Sequence, residues 1–174
     1  MTYIRHPHFH ITSRTKDREP FKIPLSNLWS CVQLTLKELE LQHQYELTSM
    51  VLMQNHYHML VRMPQEKLVA FIQDFNHELS KHSRAELDET FLVDPILQRT
   101  YFFQTYRYIY QNPVRAGIVA RCEYYPYSTL FHLARGSSFS IFIYDMFCVK
   151  DRFGLNLINT PVHKKVPATF SEAS

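Results

Sequence analysis

Two histidines separated by one residue, His56 and His58, have the side chains and the spacing of a metal-binding pair. They flank Tyr57 in a segment that predicts a β-strand, and residues two apart on a strand project from the same face of the sheet. Both imidazoles could therefore bind one divalent ion, or they could be an ordinary pair of hydrogen-bonding side chains. His8 and His10 have the same spacing, so this pattern alone does not decide between the two roles.

A tyrosine in a predicted helix over residues 102–112 is the second candidate for chemistry. At about 100° per residue, the apolar and aromatic side chains that must face the core share one arc: Phe102, Phe103, Tyr106, Ile109 and Tyr110. Tyr108 lies on the opposite arc, and Asn112 shares its face one turn later. The other residues on that arc are polar: Gln104, Thr105 and Gln111. The Tyr108 hydroxyl could be a nucleophile, or Tyr108 could be an ordinary surface aromatic.

Basic residues are concentrated in two segments of the sequence. The net charge of +3 is too small to indicate a nucleic-acid partner by itself. Residues 95–122 contain four arginines and no acidic residue, whereas residues 1–23 contain five basic and two acidic residues. Two local basic surfaces are therefore predicted, and they favour binding of a polyanion.

The composition is typical of one packed domain. The chain has 174 residues, of which 45% are hydrophobic, so it can bury a core and is not intrinsically disordered. No apolar run reaches the roughly 18–20 residues of a membrane span, and the N-terminus lacks the pattern of a signal peptide. We therefore expect a soluble cytoplasmic protein with no membrane partner. Cys31, Cys122 and Cys148 have no metal-like spacing, which argues against a disulfide scaffold or a zinc ribbon.

Four strands must position the candidate residues. Residues 8–14 alternate polar and apolar side chains and form the first. Residues 47–53 and 56–63 form a hairpin, in which Asn55 tolerates the backbone conformation of a tight turn. Residues 91–99 suit an edge strand, because Pro95 cannot donate a hydrogen bond to a neighbouring strand.

Two helices are predicted from apolar residues at helical spacing. The first covers residues 25–39, and Ser26 or Asn27 could cap its start. The second begins after Pro64 and runs into the charged stretch near Glu89.

The third helix, over residues 102–112, is expected to end at Pro113. The order strand, helix, strand, strand, helix, strand, helix predicts an α+β fold, namely a ferredoxin-like (RRM-like) antiparallel sheet with helices packed on it. Because no linker interrupts the first 135 residues, we expect one folding unit. Residues 137–174 would be a C-terminal extension, an extra helix or tail, that docks on this unit and is frayed at its end.

Two segments together resemble a known family. Met53–Val61, MQNHYHMLV, contains both histidines, and Tyr108–Gly117, YIYQNPVRAG, begins with the candidate tyrosine. In this order and at this spacing they resemble the single-tyrosine HUH transposases, in particular the REP-associated tyrosine transposases within the IS200-like superfamily. Residues 10–14 and 125–128 resemble further segments of that family. Residues 80–86 do not, because the glycine-rich linker and tryptophan usual there are missing, so DNA contacts in that segment are expected to differ.

The resemblance implies an HUH-endonuclease fold over residues 1–136 and assigns roles to the candidate residues. His56 and His58 would be the metal-binding pair, Asn112 the amide that completes the metal site, and Tyr108 the nucleophile. The cofactor would be a divalent metal ion, Mg or Mn, which suits imidazole and amide ligands. Attack by Tyr108 on single-stranded DNA would leave a covalent 5′-phosphotyrosine and a free 3′-hydroxyl, so the strand can be rejoined without ATP. Tyr110 is the rival nucleophile, but the helical projection places it on the core side.

DNA contacts are predicted for one histidine and four arginines, each of which could instead be an ordinary surface side chain: His10, Arg14, Arg62, Arg107 and Arg115. The expected partner is single-stranded or hairpin DNA, bound by a monomer or a homodimer. Two other functions remain open. The sheet could be a non-catalytic module that binds single-stranded DNA or RNA, or the histidines could serve a metal hydrolase that uses water and has no use for Tyr108.

Overall fold

A four-stranded antiparallel sheet organises the chain, and a computed structural model describes residues 6–84, 86–147, 149 and 151–161. The strands are β1 (His8–Arg14), β2 (Glu46–Leu52), β3 (His56–Arg62) and β4 (Leu92–Ile96). Their order in the sheet is β2-β3-β1-β4, so β1 and β3 are central and β4 lies at an edge, as its proline predicts. The predicted α+β ferredoxin-like arrangement is confirmed.

The described residues form five α-helices: α1 (Leu25–Gln42), α2 (Gln65–Ser83), α3 (Arg99–Arg115), α4 (Thr129–Arg135) and α5 (Arg152–Asn159). The first four pack on the sheet, and α5 packs on α3. One face of the sheet is covered by α1 and α2, where side chains such as Met59 and Phe75 are fully buried. The other face packs against α3 and α4, with Leu60, Tyr106 and Ile109 in its core. Each large apolar side chain that is buried in this way contributes about 1.5–3 kcal/mol to stability.

The starts and ends of two helices differ from the sequence prediction. Pro24 occupies the N-cap position of α1 without a side-chain hydrogen bond, so Ser26 and Asn27 lie inside the first turn and are not its cap. Helix α2 ends at Ser83, because Arg84 adopts a left-handed conformation with φ of 53°. The chain then turns back to pair with the end of β1, and the predicted continuation towards Glu89 is therefore wrong.

Helix α3 continues through Pro113 to Arg115, although the sequence predicts that it ends at the proline. A proline lacks the N–H that would bond to the carbonyl four residues earlier, here that of Ile109. The Asn112 side chain compensates for this loss, because its Nδ2 donates to the Ile109 carbonyl at 3.3 Å and to the Tyr108 carbonyl at 2.9 Å. The last turn of α3 therefore depends on a side-chain hydrogen bond that periodicity does not predict.

The described residues between 137 and 161 pack against the sheet and its helices. The Tyr144 N–H donates to the Leu47 carbonyl at 2.9 Å, and Ile143 forms a parallel bridge with Leu47 at the outer edge of β2. In α5, the Ile158 carbonyl accepts a hydrogen bond of 2.6 Å from the Gln111 side chain of α3. The predicted frayed end falls in residues 162–174, which lie outside the described residues, as does Cys148. Among the described helices, none combines the length and apolarity needed to cross a bilayer.

Candidate active site

The register between β1 and β3 brings polar side chains together on the face that α3 covers. Thr12 lies opposite His58, and Arg14 lies opposite His56. Because side chains alternate along a strand, His10 shares this face with Thr12 and Arg14. Three histidines, His10, His56 and His58, therefore share one face of the two central strands.

His10, Thr12 and His58 contact one another directly. His58 Nδ1 lies 2.9 Å from Thr12 Oγ1 and 3.1 Å from His10 Nε2. Both histidines are nearly inaccessible, with exposed fractions of 7% for His10 and 5% for His58. The pair of imidazoles is thus shielded from solvent by the sheet and by α3.

Burial favours the neutral form of all three imidazoles. It lowers the pKa of His10 to about 4. Burial also lowers the pKa of His58 well below its usual value, and His10, His56 and Arg14 add to this effect through unfavourable charge interactions. The pKa of His56 is lowered by burial and by the nearby Arg14. A neutral imidazole keeps a lone pair, which is the form that binds metal ions.

His56 lies at the start of β3, beside the hairpin turn. Its ring centroid is 5.1 Å from that of His58, and its Nδ1 is 2.7 Å from the Asn55 side-chain oxygen. The sequence assigns Asn55 to the turn for its backbone conformation, but Asn55 is not among the described residues with positive φ. Its contribution is instead a side-chain hydrogen bond to His56.

Tyr108 packs edge-on against the buried histidines. Its ring centroid lies 5.6 Å from that of His58 and 6.1 Å from that of His10. The Arg115 guanidinium is 5.4 Å from the same ring. Tyr108 is half-buried, so the sequence interpretation of an outward polar arc is wrong for this helix. Side chains on that arc are covered because the sheet and the segment around α5 pack against it, and Gln111 is bound to α5.

Tyr110, the rival nucleophile, lies on the side of α3 that faces the core, and its exposed fraction is 1%. Its hydroxyl and that of Thr129 are 2.8 Å apart. Burial raises the pKa of Tyr110, which disfavours the phenolate. The two tyrosines therefore occupy different environments, one beside the histidines and one in the core.

Asn112 does not hydrogen-bond to His56 or His58 within the described part of the chain. Its Nδ2 is used at the end of α3, whereas its Oδ1 accepts no hydrogen bond from any described residue. An amide oxygen is the atom of asparagine that a hard cation binds. Imidazole nitrogens and an amide oxygen are chemically suited to a divalent ion, but no hydrogen bond or ring contact of the described residues joins Asn112 to His56 or His58. No group of three or more His, Cys, Asp or Glu side chains that could hold a metal occurs among the described residues.

The four candidate arginines divide into two pairs. Arg14 lies beside His56 and interacts electrostatically with Asp88, and Arg115 lies beside Tyr108. Neither arginine forms a salt bridge with a described residue. Arg62 lies at the far end of β3, where it forms an ion pair with Glu46. Arg107 donates to the Thr160 carbonyl and lies over the Phe103 ring. Two arginines thus flank the histidine and tyrosine cluster, and two are bound elsewhere.

Thr12 and Asn55 contact His58 and His56, respectively, and the sequence pattern did not predict either contact. Thr12 has the same strand parity as His8 and His10, which is a signal that it shares their face. That parity does not say which β3 residue lies opposite Thr12, because the register depends on how the two distant strands pair. His8 packs against Phe102, with 4.7 Å between ring centroids.

Comparisons with known proteins agree with this architecture. A family model described as "Transposase IS200 like" matches residues 4–116. The structure of a REP-associated tyrosine transposase bound to a REP hairpin is similar, with a TM-score of 0.66 and 18% identity over 87% of this chain and 92% of that one. The resemblance predicted from the sequence is thus confirmed at the level of the fold.

A second solved structure is less similar, and the curated proteins give no match. A crystal structure of a Deinococcus radiodurans protein named as a transposase has a TM-score of 0.46 and 15% identity, covering 63% of this chain and 92% of that one. Among curated proteins, no significant match to the chain was found.

Proposed function

The chain belongs to the IS200-like transposase family, and from this premise we propose that it is a metal-dependent single-stranded DNA endonuclease that cleaves and rejoins DNA through a covalent 5′-phosphotyrosine intermediate. The observation that carries the proposal is the contact of the Tyr108 ring with the His58 and His10 rings, at 5.6 and 6.1 Å between centroids. This contact puts a hydroxyl-bearing side chain beside His58, one of the proposed metal ligands. Nucleophilic catalysis requires this kind of proximity.

In the proposed reaction, the Tyr108 oxygen attacks the phosphorus of a DNA strand. The new bond joins the tyrosine oxygen to phosphorus, and the bond from phosphorus to the 3′ oxygen breaks. The phenol gives up its proton, and the departing oxygen takes one to become a 3′-hydroxyl. The number of phosphate ester bonds does not change, so attack by another 3′-hydroxyl on the phosphotyrosine can rejoin DNA without ATP.

The metal site would consist of His56, His58 and the amide oxygen of Asn112. A divalent ion bound there supplies electrostatic stabilisation of the charge that develops on the phosphate oxygens. The Arg115 guanidinium, 5.4 Å from the centroid of the Tyr108 ring, can attract the phosphate through its positive charge. Arg14, beside His56, is the second cation that can bind the DNA backbone at this site.

We propose single-stranded DNA with a hairpin as the substrate. The similar REP-associated transposase was solved with a REP hairpin, which supports a substrate of this kind. The alternative of a non-catalytic RRM-type module is less favoured, because such modules stack bases on an open sheet face. Here α3 and α4 pack on that face and bury Val51 and Leu60. A cytoplasmic location and a monomeric or dimeric state stay predictions of the sequence.

The direct test is to incubate the protein with 3′-labelled hairpin DNA that has single-stranded flanks, with Mn²⁺ or with EDTA. We expect a labelled protein band on a denaturing gel that appears only with Mn²⁺. Cleaved DNA without a protein-linked product would instead indicate a metal hydrolase. Retention of intact DNA under native conditions, with no cleavage, would indicate the binding module.

A further inference from the structure

The Asn55 side chain is held in one orientation by two hydrogen bonds. Its Nδ2 donates to the Arg18 carbonyl at 2.7 Å, and a carbonyl oxygen can only accept. The amide oxygen, Oδ1, must then be the atom that lies 2.7 Å from His56 Nδ1. The Arg18 carbonyl therefore determines which end of the amide faces the histidine.

This orientation determines where His56 carries its proton. Because the Asn55 oxygen can only accept, His56 Nδ1 must be the donor. A neutral imidazole has one protonated nitrogen and one lone pair, so the lone pair is left on Nε2. His56 is thus restricted to the tautomer in which Nε2 can bind a metal ion.

His58 is not restricted in the same way. Its Nδ1 faces the Thr12 hydroxyl at 2.9 Å and His10 Nε2 at 3.1 Å. A hydroxyl can donate or accept, and a neutral imidazole nitrogen can do either, depending on the tautomer. The two histidines of the pair therefore differ, and only His56 has a neighbour that imposes a tautomer.

The segment that supplies the Arg18 carbonyl has an unfavourable backbone. Asp17 and Arg18 have φ of 57° and 60°, in the left-handed region that residues with a Cβ rarely adopt. The segment is nevertheless fixed to the hairpin turn, because the Thr15 N–H donates to the Asn55 carbonyl and the Phe21 N–H donates to the Gln54 carbonyl, each at 2.8 Å. Backbone strain of this kind persists where the surrounding structure holds it, often at functional sites.

We propose that Asn55 is a positioning residue, held by the strained 16–18 segment, that locks His56 as the Nδ1–H tautomer and so presents Nε2 to a divalent ion. The identity of the ligand rests on the proposed function, whereas the tautomer can be measured without any metal. A partner of this kind orients a metal-binding histidine through its other ring nitrogen. Its removal typically lowers metal affinity about 10–100-fold.

The tautomer can be read from long-range ¹H–¹⁵N correlation spectra of metal-free protein labelled with ¹⁵N-histidine. His56→Gln identifies the His56 signals. We expect wild-type His56 to be protonated on Nδ1, and Asn55→Ala to shift a large share of the population to the Nε2–H form. Asn55→Asp should retain the wild-type tautomer, because a carboxylate oxygen also accepts. Gln54→Ala is the matched control, since Gln54 is an exposed neighbour in the same turn.

Two results would overturn the proposal. One is the finding that His56 of the wild type is protonated on Nε2. This measurement does not depend on whether any variant folds. The other is a folded Asn55→Ala protein that keeps the wild-type tautomer. In calorimetry, Asn55→Ala should bind Mn²⁺ about 10–100-fold more weakly, and Gln54→Ala should match wild type. A wild type with the Nδ1–H tautomer but no Mn²⁺ binding would contradict the proposed function while supporting the tautomer assignment.

Discussion

The two faces of the sheet contrast sharply in composition. On the face covered by α1 and α2, the strands supply mainly apolar side chains that are almost fully buried, such as Met59 and Val61. On the opposite face, the same strands carry His10, His56 and His58 beside apolar residues that hold α3 in place. Because side chains alternate along a strand, one face supplies the apolar core and the other carries the histidines of the candidate site. Substitutions on the first face should change stability, whereas substitutions of the histidines and of Tyr108 on the second face should change activity.

The largest effect on stability is expected from Phe75→Ala on the first face. Phe75 is fully buried against the Tyr57 ring, with 5.1 Å between ring centroids. Loss of a buried phenyl ring leaves a cavity and should lower the free energy of unfolding by about 3–5 kcal/mol. Urea denaturation followed by circular dichroism measures this change. A loss smaller than that of His58→Ala would contradict the division between the faces.

On the second face, His58→Ala should weaken Mn²⁺ binding by at least about 10–100-fold, since it removes a ligand rather than a supporting group. Its effect on stability should be smaller than that of Phe75→Ala. His8→Ala is the matched control, because His8 belongs to the other pair with this spacing and packs on Phe102. If His8→Ala abolished binding and His58→Ala did not, the metal would belong to the other pair.

Tyr110→Phe should have a moderate effect on stability and none on the chemistry. It removes the buried hydrogen bond with Thr129, which joins oxygens 2.8 Å apart, and should cost about 1 kcal/mol. The variant should still form the covalent DNA product. Thermal or urea unfolding measures the first effect, and the denaturing gel measures the second.

The smallest effects are expected from single arginines at the DNA surface. Arg14→Gln or Arg115→Gln should reduce the slope of log affinity against log salt by about 0.7, the value for one phosphate contact with a single strand. Arg107→Gln should change the slope less, because Arg107 is already bound to the Thr160 carbonyl. Binding titrations with fluorescent single-stranded DNA at several salt concentrations compare the three. A larger change for Arg107→Gln would place the DNA path nearer to α5.

Much of this architecture follows from sequence periodicity. The alternation in residues 8–14 and the hairpin around Asn55 predict three of the strands, because a half-buried strand repeats every two residues. The spacing of His56 and His58 predicts a shared face for the same reason. These features depend on neighbours within one element, which the sequence displays directly.

Features that depend on distant partners could not be predicted in this way. The pairing of Thr12 with His58 requires the register of two strands that are 46 residues apart in sequence. The extension of α3 past Pro113 depends on the Asn112 side chain, which replaces a missing backbone donor. Tyr108 is half-buried because tertiary contacts cover an arc that helical projection assigns to solvent.

We propose that Tyr108 is the residue that becomes linked to DNA. The most direct measurement compares wild type, Tyr108→Phe and Tyr110→Phe, each incubated with Mn²⁺ and a 3′-labelled hairpin library with randomised single-stranded flanks. Denaturing gels detect the covalent product, and mass spectrometry of the digested product identifies the linked peptide. We predict that the product carries DNA on Tyr108, is absent from Tyr108→Phe and persists in Tyr110→Phe. A product that persists in Tyr108→Phe, or is lost only in Tyr110→Phe, would contradict the account.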